Sequence, residues 1–297
     1  MLTILRRWLV LGLLLALVTV AVPDSSRLDA DYQLLKVEHA QAVERPRDVI
    51  WMLALGSDAR SGESIARSRA DSIHLVGVNA RTGRGTIVGL PRDSYVSIPG
   101  FGQDKINASM VYGGPQLTAR TVEQLARVRL DYVFLTDFSG FAGMIHHLKG
   151  VRVDPPQAMS GVGHSFKDRE QWMNGSEALS FSRIRYGLPG GDFDRSLNQG
   201  RVIKSGLDRA QGLSAVPGRF ERMMLSALSR MDTNLSPAQM YRLGRAMLSV
   251  DPSKVRNCVV PGGTGTAGGA SVVFLDRGAL SRVMGHVRRD ATLRGGC

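Results

Sequence analysis

The sequence predicts an α/β fold: a mixed central β-sheet covered by helices on both faces, an α-β-α sandwich, preceded by one N-terminal membrane segment. Three observations carry this expectation. "DVIWMLALGS", beginning at Asp48, is almost unbroken apolar sequence of strand length, the pattern of a central strand buried on both faces. Further β-rich runs alternate with segments of helical spacing, the order expected of a sheet with helical layers. Finally, Arg6 and Arg7 precede "WLVLGLLLALVTVAV", an uncharged run that ends at Pro23.

That run reads as an export signal. Its length lies near the lower limit of a membrane span and within the range of a signal-peptide core. "TVAVP" is a poor cleavage site, which favours an anchor at residues 1–22 over a cleaved, secreted form. Positive charge on the short N-terminal side places the C-terminal bulk outside the cytoplasm. Residues 23–47 are polar, end at "ERPRD", and read as a juxtamembrane linker. The folded domain is expected from Asp48 to Cys297.

Within it, "DSIHLVGVNARTGRGTIVGLPRD" gives two strands around a hairpin signal at "NARTGRG". "TARTVEQLARV" has helical spacing, "DYVFLTD" reads as a strand, "FSGFAGMIHHL" as a helix and "GVRV" as a short strand. Amphipathic helices follow at Arg195–Gln211, Arg219–Met231 and Pro237–Leu248. "VRNCVV" and "SVVFL" flank the Gly-rich "PGGTGTAGG", which lacks the Lys-Ser/Thr ending of a nucleotide-binding loop and reads as a hairpin connection.

Composition bounds the chemistry. The 297 residues are 43% hydrophobic, enough for a substantial core, and carry a formal net charge of +12. Only six of the 38 basic residues are lysine. Codon bias explains that preference as well as function does, but arginine is also the side chain suited to forked contacts with phosphate or carboxylate. The two cysteines, Cys258 and Cys297, have no metal-ligand spacing; outside the cytoplasm they are expected to form one disulfide, two free thiols being the alternative. The histidines show no ligand spacing either, so zinc chemistry is not indicated.

Charged residues recur where apolar runs end. "LALGSD" delivers Asp58, "SRAD" Arg69 and Asp71, "GLPRD" Arg92 and Asp93, and "DKIN" Lys105. Each alone reads equally well as a turn residue or a surface ion pair. Their repetition points to a shared pocket, because ligands of open α/β sheets gather at strand ends. In "RYGLPGGDFDRSLNQ" two arginines, Arg183 and Arg185, precede a Gly/Pro-rich loop with Asp192 and Asp194, and Arg195 then opens a helix. Such a junction suits an anion, since glycines admit close backbone approach and a helix N-terminus is electropositive. A spacing of two puts Arg183 and Arg185 on one face only if the segment is extended. Arg195, Asn198 and Gln199 share one helix face and are expected to aim at the same place.

Many arginines, a few aspartates and no Cys-His or Ser-His-Asp arrangement suit phosphoryl transfer. In that chemistry metal and arginines neutralise the phosphate oxygens while a carboxylate handles the attacking hydroxyl. Asp58 and Asp71 are the expected holders of a Mg²⁺ (or Mn²⁺) that keeps most of its waters.

Together the motifs "LALGSDAR", "RADSIHLVGVNARTGR", "GLPRDSYVSIPGFGQDKINASMVYGGPQLTARTVEQL", "DYVFLTDFSGFAGMIHHLKGVRV", "MNGSEALSFSRIRY" and "GDFDRSLNQ" closely resemble the LytR-CpsA-Psr family of cell-wall proteins. The resemblance covers about residues 48–213 in order and spacing; residues 214–297 match no pattern. It implies an outward-facing, single-pass phosphotransferase that moves a glycopolymer, such as teichoic acid or arabinogalactan, from a polyprenyl-pyrophosphate carrier onto a peptidoglycan hydroxyl. It further implies that Asp58 and Asp71 associate with Mg²⁺ and that Arg69, Arg92, Arg183, Arg185 and Arg195 bind pyrophosphate. Asp93, Lys105, Asp192 and Gln199 fall at further polar positions, Asp93 grouped with Asp58, Asp71 and Arg92 as catalytic. An internal slot for the polyprenyl tail is also implied. Two departures stand out: "RAD" replaces Arg-Ser-Asp, and Asn198 stands where arginine is common, removing one positive charge from the expected site.

Two other readings compete. A non-catalytic binder of lipid-linked polymer fits the Asn198 departure. A transcriptional attenuator fits the basic charge, but the outward topology and the lack of a helix-turn-helix pattern argue against a nucleic-acid partner.

Overall fold

The computed structural model describes residues 31–40, 42, 48–60, 62–216 and 218–297. The expected membrane segment at 1–22 lies outside them. Among the described residues no helix is long and apolar enough to cross a membrane.

The chain opens with β1 (Tyr32–Lys36), β2 (Val49–Ser57), β3 (Ala70–Asn79) and β4 (Arg84–Gly89), then a small hairpin of β5 (Tyr95–Ile98) and β6 (Gly102–Lys105). Helix α1 (Ala108–Ala126), β7 (Tyr132–Thr136) and α2 (Phe138–His147) follow. Next come the short strands β8 (Val151–Val153), β9 (Met159–Gly161), β10 (His164–Phe166) and β11 (Gln171–Met173). Helices α3 (Gly175–Arg183), α4 (Asp192–Ser214) and α5 (Arg219–Leu228) lead to β12 (Met231–Thr233) and α6 (Pro237–Leu248). The chain closes with β13 (Val255–Val259), β14 (Gly262–Ala267), β15 (Ala270–Leu275) and α7 (Arg277–Asp290).

Seven strands form the central sheet in the order β12-β1-β7-β2-β3-β4-β13. It is mixed: β12/β1, β7/β2 and β4/β13 are parallel, the other neighbours antiparallel. Alternation along β2 divides the core. Trp51, Leu53 and Leu55 pack with Met110, Leu117 and Val122 of α1 and with Val283 and Val287 of α7. Ile50, Met52 and Ala54 face Ile203 and Leu207 of α4 and Met240 and Leu243 of α6. Helices therefore cover both faces. The disulfide Cys258–Cys297 forms as expected, joining β13 to the tail beyond α7.

Several boundaries differ from expectation. The segment read as a linker contains β1, whose Tyr32 and Leu34 are buried, as is Val37 just beyond it, so the fold begins before Asp48. Five residues with polar flanks carry too little periodicity to announce a strand; pairing with β7 and β12 makes it one. The helix read over Arg219–Met231 stops at Leu228, and Met231 instead starts β12. "VRNCV" does not form a hairpin with "SVVFL"; it is the edge strand β13, beside β4. The Gly-rich stretch is itself strand β14, paired with β15 through a turn at Gly268 and Gly269, both at positive φ as a tight hairpin requires. "VRV" pairs with β11 rather than joining the central sheet.

Candidate active site

A cavity of about 620 Å³ lies between one face of the sheet and helices α2, α3 and α4. Its position follows from strand register. Met52, Ala54 and Gly56 of β2 stand opposite Val76, His74 and Ser72 of β3, all on the same face. Met52, Ala54 and Phe134 of β7 stay only partly buried within a core layer, because the helices opposite them stand off and leave the void. Apolar side chains of α2, among them Phe141 and Met144, together with Leu148 at the helix C-cap, line the inner part of the cavity.

Helix α4 runs along the cavity and gives it polarity. Arg195, Gln199, Val202, Ile203 and Gly206 all line it, at spacings that form one stripe of a helix. Eleven steps along the helix at a rise of about 1.5 Å span about 16 Å, from a guanidinium to bare backbone. The cavity is cationic at one end and apolar at the other.

Four arginines line the charged end, Arg92, Arg183, Arg185 and Arg195, against two carboxylates, Asp71 and Asp137. Both carboxylates are engaged: Asp71 Oδ1 lies 2.5 Å from Arg92 Nη1, and Asp137 caps α2 by accepting from the Gly140 N–H. Arg92 Nε lies 3.7 Å from Asp93, whose other oxygen is 3.1 Å from Lys105 Nζ. Burial works to lower the Arg92 pKa, but Asp71, Asp93 and Asp192 outweigh it and the net shift is upward. Arg195 is buried in the first turns of α4, paired with Asp192 at 2.6 Å. Burial depresses its pKa, Asp192 opposes that, and the neighbouring Arg92 adds to it. The Nε atoms of Arg92 and Arg195 are buried without a hydrogen-bond acceptor. Unsatisfied buried donors on like-charged groups call for an anion between them.

The two arginines before the loop reach this end by another route than an extended segment. Arg183 is the last residue of α3, and the chain leaves the helix at Ile184 in extended conformation, which brings Arg185 back to the same cavity. Each lies over an aromatic ring: Arg183 4.6 Å from the Phe138 centroid, Arg185 4.7 Å from that of Tyr186. The glycines that follow shape the helix entry. Gly191 takes positive φ, and Gly190 donates its N–H to Asp194 at 2.8 Å, where a Cβ would collide with that carboxylate. Helix α4 consequently starts at Asp192, three residues before Arg195. Two acidic residues, Asp192 and Asp194, occupy its first turn and offset the charge of Arg195 near the electropositive end of the helix.

Asn198 does not join Arg195 and Gln199 at the cavity. It is fully buried on another side of α4, against Met159 Sδ, and accepts from Arg201 Nη1 at 2.8 Å. The departure at this position therefore takes no charge from the cavity wall. Asp58, Arg69, Asp93, Lys105 and Asp192 do not line the cavity either. Asp93, Lys105 and Asp192 brace Arg92 and Arg195, while Asp58 forms no ion pair among the described residues and donates its N–H to the Arg69 carbonyl at 3.0 Å. Burial, then the nearby Asp71 charge, raises the Asp58 pKa. Such a pair of carboxylates fits a divalent cation, which would relieve their repulsion. Among the described residues no cluster of three or more potential ligands occurs, so a Mg²⁺ here would draw its remaining oxygens from water and phosphate.

Sequence reasoning passed over Ser72, Tyr186 and Gly206. Only the Arg195-to-Gly206 stripe carried a readable signal, a helical face that changes from charged to small.

The fold is a mixed α/β sandwich around a cavity that is cationic at one end and apolar at the other. The chain belongs to the LytR_cpsA_psr family, whose profile matches residues 19–289. The polyisoprenyl-teichoic acid–peptidoglycan teichoic acid transferase TagU of Bacillus subtilis (strain 168) is 34% identical over 196 residues, 66% of this chain and 63% of that one. The chain thus spans a little under two thirds of that relative's length. The protein of the same name from Enterococcus faecalis (strain ATCC 700802 / V583) is 27% identical over 268 residues, 90% of this chain and 88% of that one. The crystal structure of B. subtilis TagU aligns with a TM-score of 0.63 and 28% identity, covering 84% of this chain and 100% of that one. The family protein YwtF (TagT) with bound octaprenyl pyrophosphate lipid aligns with a TM-score of 0.65 and 22% identity, over 86% and 98% of the two chains. That likeness is one of fold.

Proposed function

We propose that this chain is a phosphotransferase that moves a glycopolymer from a polyprenyl-pyrophosphate carrier onto a peptidoglycan hydroxyl, working outside the cytoplasm at the membrane. The observation that carries the reading is the gradient along α4. Arg195 and Gln199 meet a pyrophosphate head, and Val202, Ile203 and Gly206 meet an isoprenoid tail. The names of the related transferases and the lipid held by the YwtF structure support it.

In this reading Arg92, Arg183, Arg185 and Arg195 hold the pyrophosphate oxygens and orient the glycan-bearing phosphorus toward the open mouth. Asp93, Lys105 and Asp192 keep the guanidiniums in place. The new P–O bond forms to the peptidoglycan hydroxyl, the bond to the lipid phosphate breaks, and the hydroxyl proton passes to the departing lipid phosphate. Products are a phosphodiester-linked glycopolymer and a polyprenyl phosphate. A Mg²⁺ (or Mn²⁺) held by Asp58 and Asp71 would neutralise charge on the pyrophosphate and the leaving phosphate. The apolar N-terminal run would keep the cavity at the membrane surface where the carrier resides.

Turnover of a purified polyprenyl-pyrophosphate-linked glycan with peptidoglycan fragments tests the reading. Transfer, with release of polyprenyl phosphate, is the expected result. Tight lipid binding without transfer would favour a non-catalytic binder, a reading that the position of Asn198 away from the cavity no longer supports.

A further inference from the structure

Beyond Asp71, β3 places a second polar pair on the cavity face. Ser72 and His74 are two residues apart on a strand and point the same way. Ser72 lines the cavity, whereas His74 is fully buried behind it. Ser72 Oγ is 3.0 Å from His74 Nδ1, and His74 Nε2 is 3.0 Å from the main-chain oxygen of Ser196, the residue after Arg195. Two glycines make room for the pair. A Cβ at Gly56 would sit 3.0 Å from Ser72 Cβ, and one at Gly89 would sit 2.4 Å from Ser196 Oγ and 3.3 Å from His74 Nε2.

Elementary hydrogen-bond chemistry sets every proton in this chain. A carbonyl oxygen only accepts, so His74 Nε2 carries a hydrogen. Burial keeps the imidazole neutral, holding its pKa down at about 4. Nδ1 is then bare, and the Ser72 hydroxyl must donate to it. Its single hydrogen is thereby turned inward, and Ser72 offers the cavity lone pairs alone. A phosphate oxygen is repelled by such an atom. A hydroxyl is attracted to it.

We propose that Ser72 positions the incoming acceptor hydroxyl beside Asp71, and that His74 sets the direction of the Ser72 hydroxyl for that purpose; this rests on the transfer reading above. The acceptor O–H donates to Ser72 Oγ, which leaves an oxygen lone pair free to face the phosphorus. In a loose transition state the proton leaves late. Once the oxygen is bonded to phosphorus it is acidic, and the proton moves to the departing polyprenyl phosphate, which takes the electron pair of the broken P–O bond.

The test separates acceptor positioning from donor binding. The full chain is assayed with a polyprenyl-pyrophosphate-linked glycan, with and without peptidoglycan fragments, and the ratio of transfer to hydrolysis is recorded with donor Kd and acceptor KM. Ser72→Ala is expected to leave donor Kd within about two-fold while lowering the ratio about ten-fold or more, the loss of one hydrogen bond made to a reacting group. Ser72→Thr, which keeps the hydroxyl, should preserve the ratio. His74→Leu should lower it although Ser72 is intact, and the double variant should be no worse than either single one. Should His74→Leu melt early, the two Ser72 variants decide alone. An unchanged ratio in Ser72→Ala, or a ten-fold weaker donor Kd with the ratio preserved, overturns the proposal. A wild-type chain that binds donor but transfers nothing refutes the transfer reading itself, and this inference with it.

Discussion

Arg92 Nη1 lies 2.5 Å from Asp71 Oδ1, joining the start of β3 to the turn after β4 at the charged end of the cavity. Neither strand positions its residue alone. The antiparallel pairing of β3 with β4 brings the two ends together, and Asp93 with Lys105 holds the guanidinium from behind. Replacing the more exposed Arg183 or Arg185 by alanine should cost less, but replacing Arg92 or Arg195 leaves phosphate charge uncompensated in a partly dry site. The expected cost is about 2–5 kcal/mol in binding of a lipid pyrophosphate, roughly thirty-fold to several-thousand-fold. Lysine should restore only part of this, because a point charge cannot reproduce the planar fork. Arg242, exposed on α6, is the control: its alanine variant should stay within about 0.5 kcal/mol in stability and bind unchanged. Calorimetric titration and melting temperature together read both effects.

Gly206 tests the apolar end. A Cβ there would meet only Leu148 Cδ1 at 3.9 Å, an ordinary contact. Gly206→Ala, inside α4, should therefore raise stability by about 0.5–1 kcal/mol through helix propensity. Gly206→Phe should fill the inner cavity. Its expected effect is a loss of octaprenyl pyrophosphate binding of about ten-fold or more with inorganic pyrophosphate binding unaltered. Equal binding of both ligands by the Phe variant would show that the tail lies elsewhere.

His74 gives a pH dependence with a defined sign. Its folded pKa of about 4 lies below the usual value of 6.5, so the unfolded chain binds more protons between these values. Stability from this group is complete above about pH 6.5 and falls as pH drops toward 4, by about 3 kcal/mol in all. Urea unfolding at several pH values should show that slope in the wild type. His74→Leu should lack it, whatever its absolute stability; the same slope in that variant would remove His74 as the cause.

Asp58 and Asp71 carry the metal expectation. Asn keeps the shape of Asp and loses its charge, so either Asp→Asn variant should lower Mg²⁺-dependent transfer strongly without changing the fold. Full activity of both variants in excess EDTA would remove the metal from the account.

Most of the sheet was legible in the sequence because β2, β3, β4 and β7 read as apolar or β-rich runs of strand length. β1 was not, since its five residues are strand only by virtue of β7 and β12 beside them. The site was legible as a set of charges but not as a shape. Arg92, Arg183, Arg185, Arg195 and Gln199 do meet at one cavity, yet Arg183 arrives from a helix end, which spacing alone misread as an extended pair. Asn198 shares a helical face with Arg195 on a wheel and still misses the cavity, because α4 turns it toward Met159 and Arg201. The void itself is a tertiary property. It exists where α2 and α4 stand off from Met52, Ala54 and Phe134, and no local pattern encodes a gap.

The central claim is that one cavity holds both a pyrophosphate and an isoprenoid chain. The most direct measurement compares the affinities of the full chain for octaprenyl pyrophosphate, octaprenyl alcohol and inorganic pyrophosphate, each with wild type, Arg92→Ala and Gly206→Phe. Octaprenyl pyrophosphate should bind far more tightly than either fragment, and each variant should weaken it, Arg92→Ala through the head and Gly206→Phe through the tail. If octaprenyl pyrophosphate binds no better than inorganic pyrophosphate, or if neither variant alters it, the cavity is not the lipid site and the account fails.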